Sequence, residues 1–183
     1  MKNLFLLFSL VIITSAVSAQ DVFSCKNTRF SFFSSAPLED IEAKTDKGVS
    51  AINVKTGAIY FKVPIASFQF RKKLMQDHFN QNYLESDKFP FAEFKGKVVE
   101  NTDLSRNGTY EVTVEGTLNL HGVDKAYREK GTITVKDGNI TAGSTFNIRV
   151  ADHRIDVPSM VVKNVAEVVA VTVNAVYTAV VNR

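Results

Sequence analysis

Along Gly108 to His121, GTYEVTVEGTLNLH, apolar and polar residues alternate. Tyr110, Val112, Val114, Leu118 and Leu120 fall on one side; Thr109, Glu111, Thr113, Glu115, Thr117 and Asn119 fall on the other. Alternation of this length predicts a strand with one buried face and one wet face. Gly116 lies on the inner side in mid-strand, where a missing side chain permits a sharp bend or the close approach of another group. The same period recurs in Ile59, Phe61, Val63 and Ile65, in Ala92, Phe94, Gly96 and Val98, and in Ile140, Ala142, Phe146 and Ile148. Phe30 and Phe32 mark an early strand, and Ile52 with Val54 another. Arg106-Asn107-Gly108 and Asp137-Gly138 supply turn chemistry between such runs, because Asn, Asp and Gly tolerate positive φ. The last run, Val165 to Val181, is rich in Val and apolar on both faces. It reads as a long strand covered on both sides, after a short helical turn following Pro158.

One segment departs from the period of two. In SFQFRKKLMQDHFNQNYL, Phe68, Met75, Phe79 and Tyr83 share a helical stripe with Leu74 beside it, and Lys72, Lys73, Gln76, Asp77, Asn80 and Gln81 face solvent. A helix over about Phe68 to Tyr83 is predicted, with Ser67 as N-cap and Pro90 stopping any continuation. The fold class that follows is mainly β: a single antiparallel barrel of about eight strands, with the helix closing one end. A barrel of that size is either filled by side chains or holds one small ligand, and pattern alone does not choose between them.

Composition changes this picture little. The chain has 183 residues, and MKNLFLLFSLVIITSAVSAQ has the early Lys2, the apolar run Leu4 to Ile13 and small residues ending in Val17-Ser18-Ala19. That pattern is a secretory leader with cleavage expected after Ala19, so residues 1–19 lie outside the fold and residues 20–183 form one domain. Its apolar run is shorter than the roughly 20 residues that span a bilayer. Residues 161–181 are interrupted by Lys163, Glu167 and Asn174, which argues against a transmembrane segment there. The protein is expected to be exported, periplasmic or secreted, and water-soluble. Loss of Lys2 from the +3 chain leaves +2. Such a near-neutral chain with scattered basic residues excludes a nucleic-acid surface. Cys25 is the sole cysteine. It can form no internal disulfide and no multi-thiolate zinc site, and it reads as a small buried side chain rather than a lipidation site.

Candidate chemistry is sparse. His78, His121 and His153 have Asp77, Asp124 and Asp152 as neighbours, but no pair has a close ligand spacing such as i, i+4 on a helix, so no metal site is expected. No G-x-S-x-G, Gly-rich phosphate loop or H-E-x-x-H occurs, so no catalytic residue is assigned and no cofactor is required. His78, beside the apolar stripe, is a candidate contact for a polar ligand head. The cations Arg71, Lys72 and Lys73 oppose the helix dipole, a conflict that an anionic head at Arg71 would relieve.

The order of features resembles a known family. The early strand with Phe30 and Phe32 precedes LMQDHFNQNYLESDKFPFAEFKG, then YEVTVEGTLNLHGVDK and a late DHRIDVP. Together these are similar to the YceI-like proteins over nearly the whole chain from Asp21. Asp124 stands where the family's His-Gly-Val-Thr-Lys has Thr. The resemblance implies a lipocalin-like barrel enclosing a polyprenyl lipid, a quinone tail or a fatty amphiphile, in a carrier or storage protein and not an enzyme.

Burial of methylene groups at roughly 0.8 kcal/mol each makes such a ligand physically sensible, and it needs only a dry tube. Phe70, Leu74, Phe79, Phe89, Phe91 and Phe94 are expected at the mouth or wall near the helix. Phe30, Phe32, Phe61, Leu118, Leu120, Phe146 and Ile148 are expected to line the tube. Two alternatives stay open: a lipid-modifying enzyme with His78, His121 or His153 as acid or base, and a structural or stress module whose barrel is full. A homodimer paired through the helical end is a further expectation.

Overall fold

The computed structural model describes residues 21–35, 40–156 and 167–180. The leader and the turn after Pro158 lie outside them. Nine strands form one antiparallel sheet: β1 Val22–Ser34, β2 Ile41–Asn53, β3 Ala58–Pro64, β4 Gln69–Phe70, β5 Phe91–Val98, β6 Gly108–Leu120, β7 Val123–Lys136, β8 Asn139–Arg149 and β9 Val168–Ala179. The neighbours run β1-β9-β8-β7-β6-β5-β3-β2, and β1 pairs with β2 to close the ring; only the short β4 stays outside it, on β2. This is the eight-stranded barrel that the alternation predicts.

Turn chemistry fixes the register. β6 and β7 pair from Gly108↔Val135 to Leu120↔Val123. The turn residues His121 and Gly122 both have positive φ, at 52° and 71°. Asp137 and Gly138, at 50° and 78°, do the same between β7 and β8. Two central residues with φ above zero make the turn whose twist matches paired strands. Gly116 meets the expectation of close approach. Directly opposite Gly96 in the ladder, it lies under the Phe94 ring, and a Cβ at either glycine would collide with that ring.

The helix is shorter than the stripe suggests. α1 spans Lys73–His78 and passes into a single π-helical turn over Phe79–Tyr83. Phe68 is not helical. It ends a one-turn 3₁₀ segment, Ile65–Ser67, after which Gln69 and Phe70 pair with Lys44 and Ala43 of β2. Extended pairing wins there because β2 and β3 pair only over Val49–Ile52, leaving the upper half of β2 without a neighbour on that side. Ser67 caps nothing: its hydroxyl donates to the Pro64 carbonyl at 2.6 Å and lies 2.8 Å from the Thr45 hydroxyl.

The last strand also differs from expectation. Val173, Ala175 and Tyr177 are buried, but Val176 is 66% exposed, so β9 is covered on its inner face only. Valine is favoured on strands for its branching as well as its apolarity, so a Val-rich run need not be buried on both sides.

Candidate functional site

The two ends of the barrel are packed differently. At the end beneath the β2–β3 and β7–β8 turns, Ile52, Leu104, Val112, Ile133, Ile140 and Tyr177 pack with Cys25 into a plug, of which Ile52, Val112, Ile133 and Tyr177 face the compartment above. The Tyr177 ring is 1% exposed. Its hydroxyl meets no hydrogen-bond partner. Burial pushes the phenol up to about 12, against an opposing pull from the nearby Ser50 hydroxyl, which is itself 2.7 Å from the Thr28 hydroxyl.

Toward the helix the lumen is hollow. A small inner compartment of about 130 Å³ is lined by Phe30, Phe61, Phe94, Leu118, Phe146, Val173 and neighbours. Above it lies a larger one of about 610 Å³, lined by Phe30, Phe32, Phe68, Phe70, Leu74, Met75, Phe79, Leu120, Ile148 and Val171 among others. Phe30, Val63, Ala92, Leu118 and Phe146 border both, so the compartments share a wall. The larger volume is in the range of about 300–1,000 Å³ typical of small-molecule sites.

Phe79 holds the helical segment over this space. Its ring stacks on Phe32 at 5.5 Å and lies 5.0 Å from Phe70 and 5.8 Å from Phe68. The cluster shows what the extended conformation of Phe68–Phe70 gains: held along the β2 edge, both rings meet Phe79. At the rim Leu74 is 65% exposed, and His78 and Lys72 border the opening.

Of the sequence-selected lining residues, Phe30, Phe32, Phe61, Phe70, Leu74, Phe79, Phe94, Leu118, Leu120, Phe146 and Ile148 border one or both compartments. Phe89 and Phe91 do not. Phe89 packs edge-on against His121 at 4.5 Å, over the β6–β7 turn. Phe91 lies on the outer face beneath the Lys62 ammonium, 3.9 Å from its ring centre. Alternation accounts for Phe91: inward Ala92 and Phe94 force it outward. Arg71 is exposed and borders neither compartment. The cationic start of α1 is balanced locally, since Lys73 pairs with Asp77 one turn on. The pattern of the chain missed Phe68, Val171 and Val173 as lining; β9 parity could have supplied the two valines.

Two histidines are tied into the frame beside the lumen. His153 is 0% exposed. Its Nδ1 faces the Val123 carbonyl at 3.2 Å, so that nitrogen donates, and Nε2 accepts from the Tyr127 hydroxyl at 2.9 Å. His121 Nδ1 donates to the His153 carbonyl at 3.1 Å, while Nε2 faces Glu85 at 3.2 Å. This chain of contacts fastens the loop after the π-turn to β7 and the segment Val150–His153. Lys88 first, then His121, holds the Glu85 carboxyl below its usual range. Burial lowers the His153 imidazole and pushes the Tyr127 phenol up to about 12. Among the described residues no cluster of His, Cys, Asp and Glu is arranged to hold a metal ion.

The lowered His153 predicts a pH effect of definite sign. Below about pH 6.5 the unfolded chain binds a proton that the folded ring resists, so stability is full above that value and declines as pH falls below it. Melting midpoints of wild type and His153→Asn, taken between about pH 7.5 and pH 5, should show a steeper acid-side decline in wild type. Parallel profiles would remove this assignment.

Three comparisons bear on the site. Residues 17–177 match the sequence model of the YceI-like domain. A polyisoprenoid-binding domain from Saccharophagus degradans, implicated in plant cell wall breakdown, superposes with a TM-score of 0.75 at 15% identity, covering 88% of this chain and 99% of its own. BcnA of Burkholderia cenocepacia gives 0.70 at 17% identity, over 82% and 96%. The YCEI protein of Campylobacter jejuni gives 0.54 at 15% identity over the full length of both. At these identities the likeness is one of fold. No curated protein matches the chain.

Proposed function

Because the chain belongs to the family of YceI-like domains, we propose that it binds and carries a long-chain amphiphile, a polyisoprenoid or quinone-type lipid, inside its barrel. The observation that carries this reading is the 610 Å³ compartment, walled by aromatic and aliphatic side chains and capped by the Phe79 cluster. A ligand chain of about 15 carbons would gain roughly 12 kcal/mol from burial; set against an association cost of at least about 4 kcal/mol, this leaves enough for a micromolar dissociation constant.

The reading needs no bond-breaking step. His121 and His153 spend their ring nitrogens on protein partners, which supports binding over acid–base catalysis. The lining residues named from the sequence, less Phe89 and Phe91, are the proposed ligand contacts. Export to the periplasm or beyond is supported by the leader-like residues 1–19. No helix among the described residues is long and apolar enough to cross a membrane. Native mass spectrometry of the protein before and after incubation with farnesol or a short-tailed quinone tests the proposal. One added ligand mass per chain is expected; unchanged spectra with every amphiphile tried would overturn it.

A further inference from the structure

The wall of the barrel parts at one seam. β7 and β8 pair only from Thr132↔Gly143 to Lys136↔Asn139. Yet β7 begins at Val123 and β8 continues to Arg149. Beyond Gly131 and Gly143 the strands separate, and side chains span the gap. Ser144 donates its hydroxyl to the Lys130 carbonyl at 2.6 Å. Tyr127 lies edge-on to Phe146 at 6.2 Å while its hydroxyl is taken by His153.

Between these bridges sits Glu129. It lies opposite Val114 in the β6–β7 ladder and borders the inner compartment together with Tyr127, Gly131 and Ser144. Among the described residues it is the only carboxylate bordering either compartment. It accepts no hydrogen bond and joins no ion pair among them. Of the donors bordering that compartment, Tyr127 goes to His153, Ser144 to Lys130, Thr132 to Glu111 and Lys62 to Glu93, and the unpartnered Tyr177 hydroxyl belongs to the plug. Its exposure is intermediate, so it stands between the dry lumen and the water outside the seam. An acidic group on an apolar wall without a donor is unfavourable, and a ligand that brought a donor would relieve it. Burial raises its pKa, in keeping with that unmet need.

Resting on the proposed lipid binding, we infer that the β7–β8 seam holds the polar end of the ligand, where Glu129 accepts a hydrogen bond from a hydroxyl group while the chain lies in the apolar compartments. An anionic end is excluded there by repulsion. The rival position for a polar end is the helical rim with Lys72 and His78, which would favour an anion.

Farnesol and farnesyl phosphate, titrated into wild type, Glu129→Gln and Glu129→Leu, separate these cases. Wild type should bind farnesol about 10-fold or more tighter than the phosphate, the scale of one charge-assisted hydrogen bond. Glu129→Gln keeps an acceptor without charge, so it should hold farnesol and gain on the phosphate. Glu129→Leu should lose about 10-fold on farnesol, leaving the two probes nearly equal. A wild-type preference for the phosphate would move the polar end to the rim and overturn the inference. So would binding of both probes in a ratio indifferent to residue 129, with lipid binding itself intact. If neither probe binds wild type, the lipid-binding reading falls too.

Discussion

Tyr177→Ala should destabilise the domain by about 3–5 kcal/mol, the usual cost of deleting a large aromatic ring from a packed core. Total stabilities of about 5–15 kcal/mol make this a severe loss. The ring is 1% exposed and packs with Ile52, Leu104 and Ile140 at the floor of the inner compartment, so its removal enlarges a cavity that the packed wall does not fill. Tyr177→Phe separates ring from hydroxyl. Because that hydroxyl has no partner, its removal should change stability by less than about 1 kcal/mol or raise it. Urea unfolding of the three proteins measures both. A loss below about 1 kcal/mol for the alanine variant would mean that the plug is not packed as described.

Ala92→Trp should have the opposite character: a large effect on ligand and a small one on stability. Ala92 pairs with Val63 and borders both compartments, so an indole there projects into empty space. In a filled core such an enlargement costs about 1–3 kcal/mol or more. Here the melting midpoint should hardly move. The ring would displace about four methylenes of ligand chain at roughly 0.8 kcal/mol each, weakening binding by more than about 100-fold. Together the two substitutions set a solid end against a hollow one.

Much of this architecture was legible in the sequence because a half-buried strand imposes its period on the residues. β6, β3, β5 and β8 could be read from Val112, Phe61, Phe94 and Phe146, and the inward side chains so identified are the ones bordering the lumen. β7 was not legible as a strand. Lys125, Glu129 and Gly131 occupy inner-face positions where the rule expects apolar residues. The interruption coincides with the unpaired seam, so the rule failed at the place where the wall is unusual.

The helix start was misjudged for a different reason. Phe68, Met75 and Phe79 satisfy a helical stripe, but helical spacing shows only that side chains can share a face. The vacant edge of β2 offered Gln69 and Phe70 strand hydrogen bonds that local periodicity does not register. Hollowness itself could not be read, since lining and core use the same residue types. Phe61 and Phe146 line a cavity, whereas Leu104 and Ile140, just as apolar, belong to a plug.

The decisive measurement is the dissociation constant of one fluorescent long-chain amphiphile, titrated into wild type and Ala92→Trp side by side, with melting curves for both. A hollow lumen predicts saturable binding to wild type, near one ligand per chain, and its collapse in an equally stable variant. Equal binding by the two proteins would put the amphiphile somewhere other than the barrel interior and contradict the account.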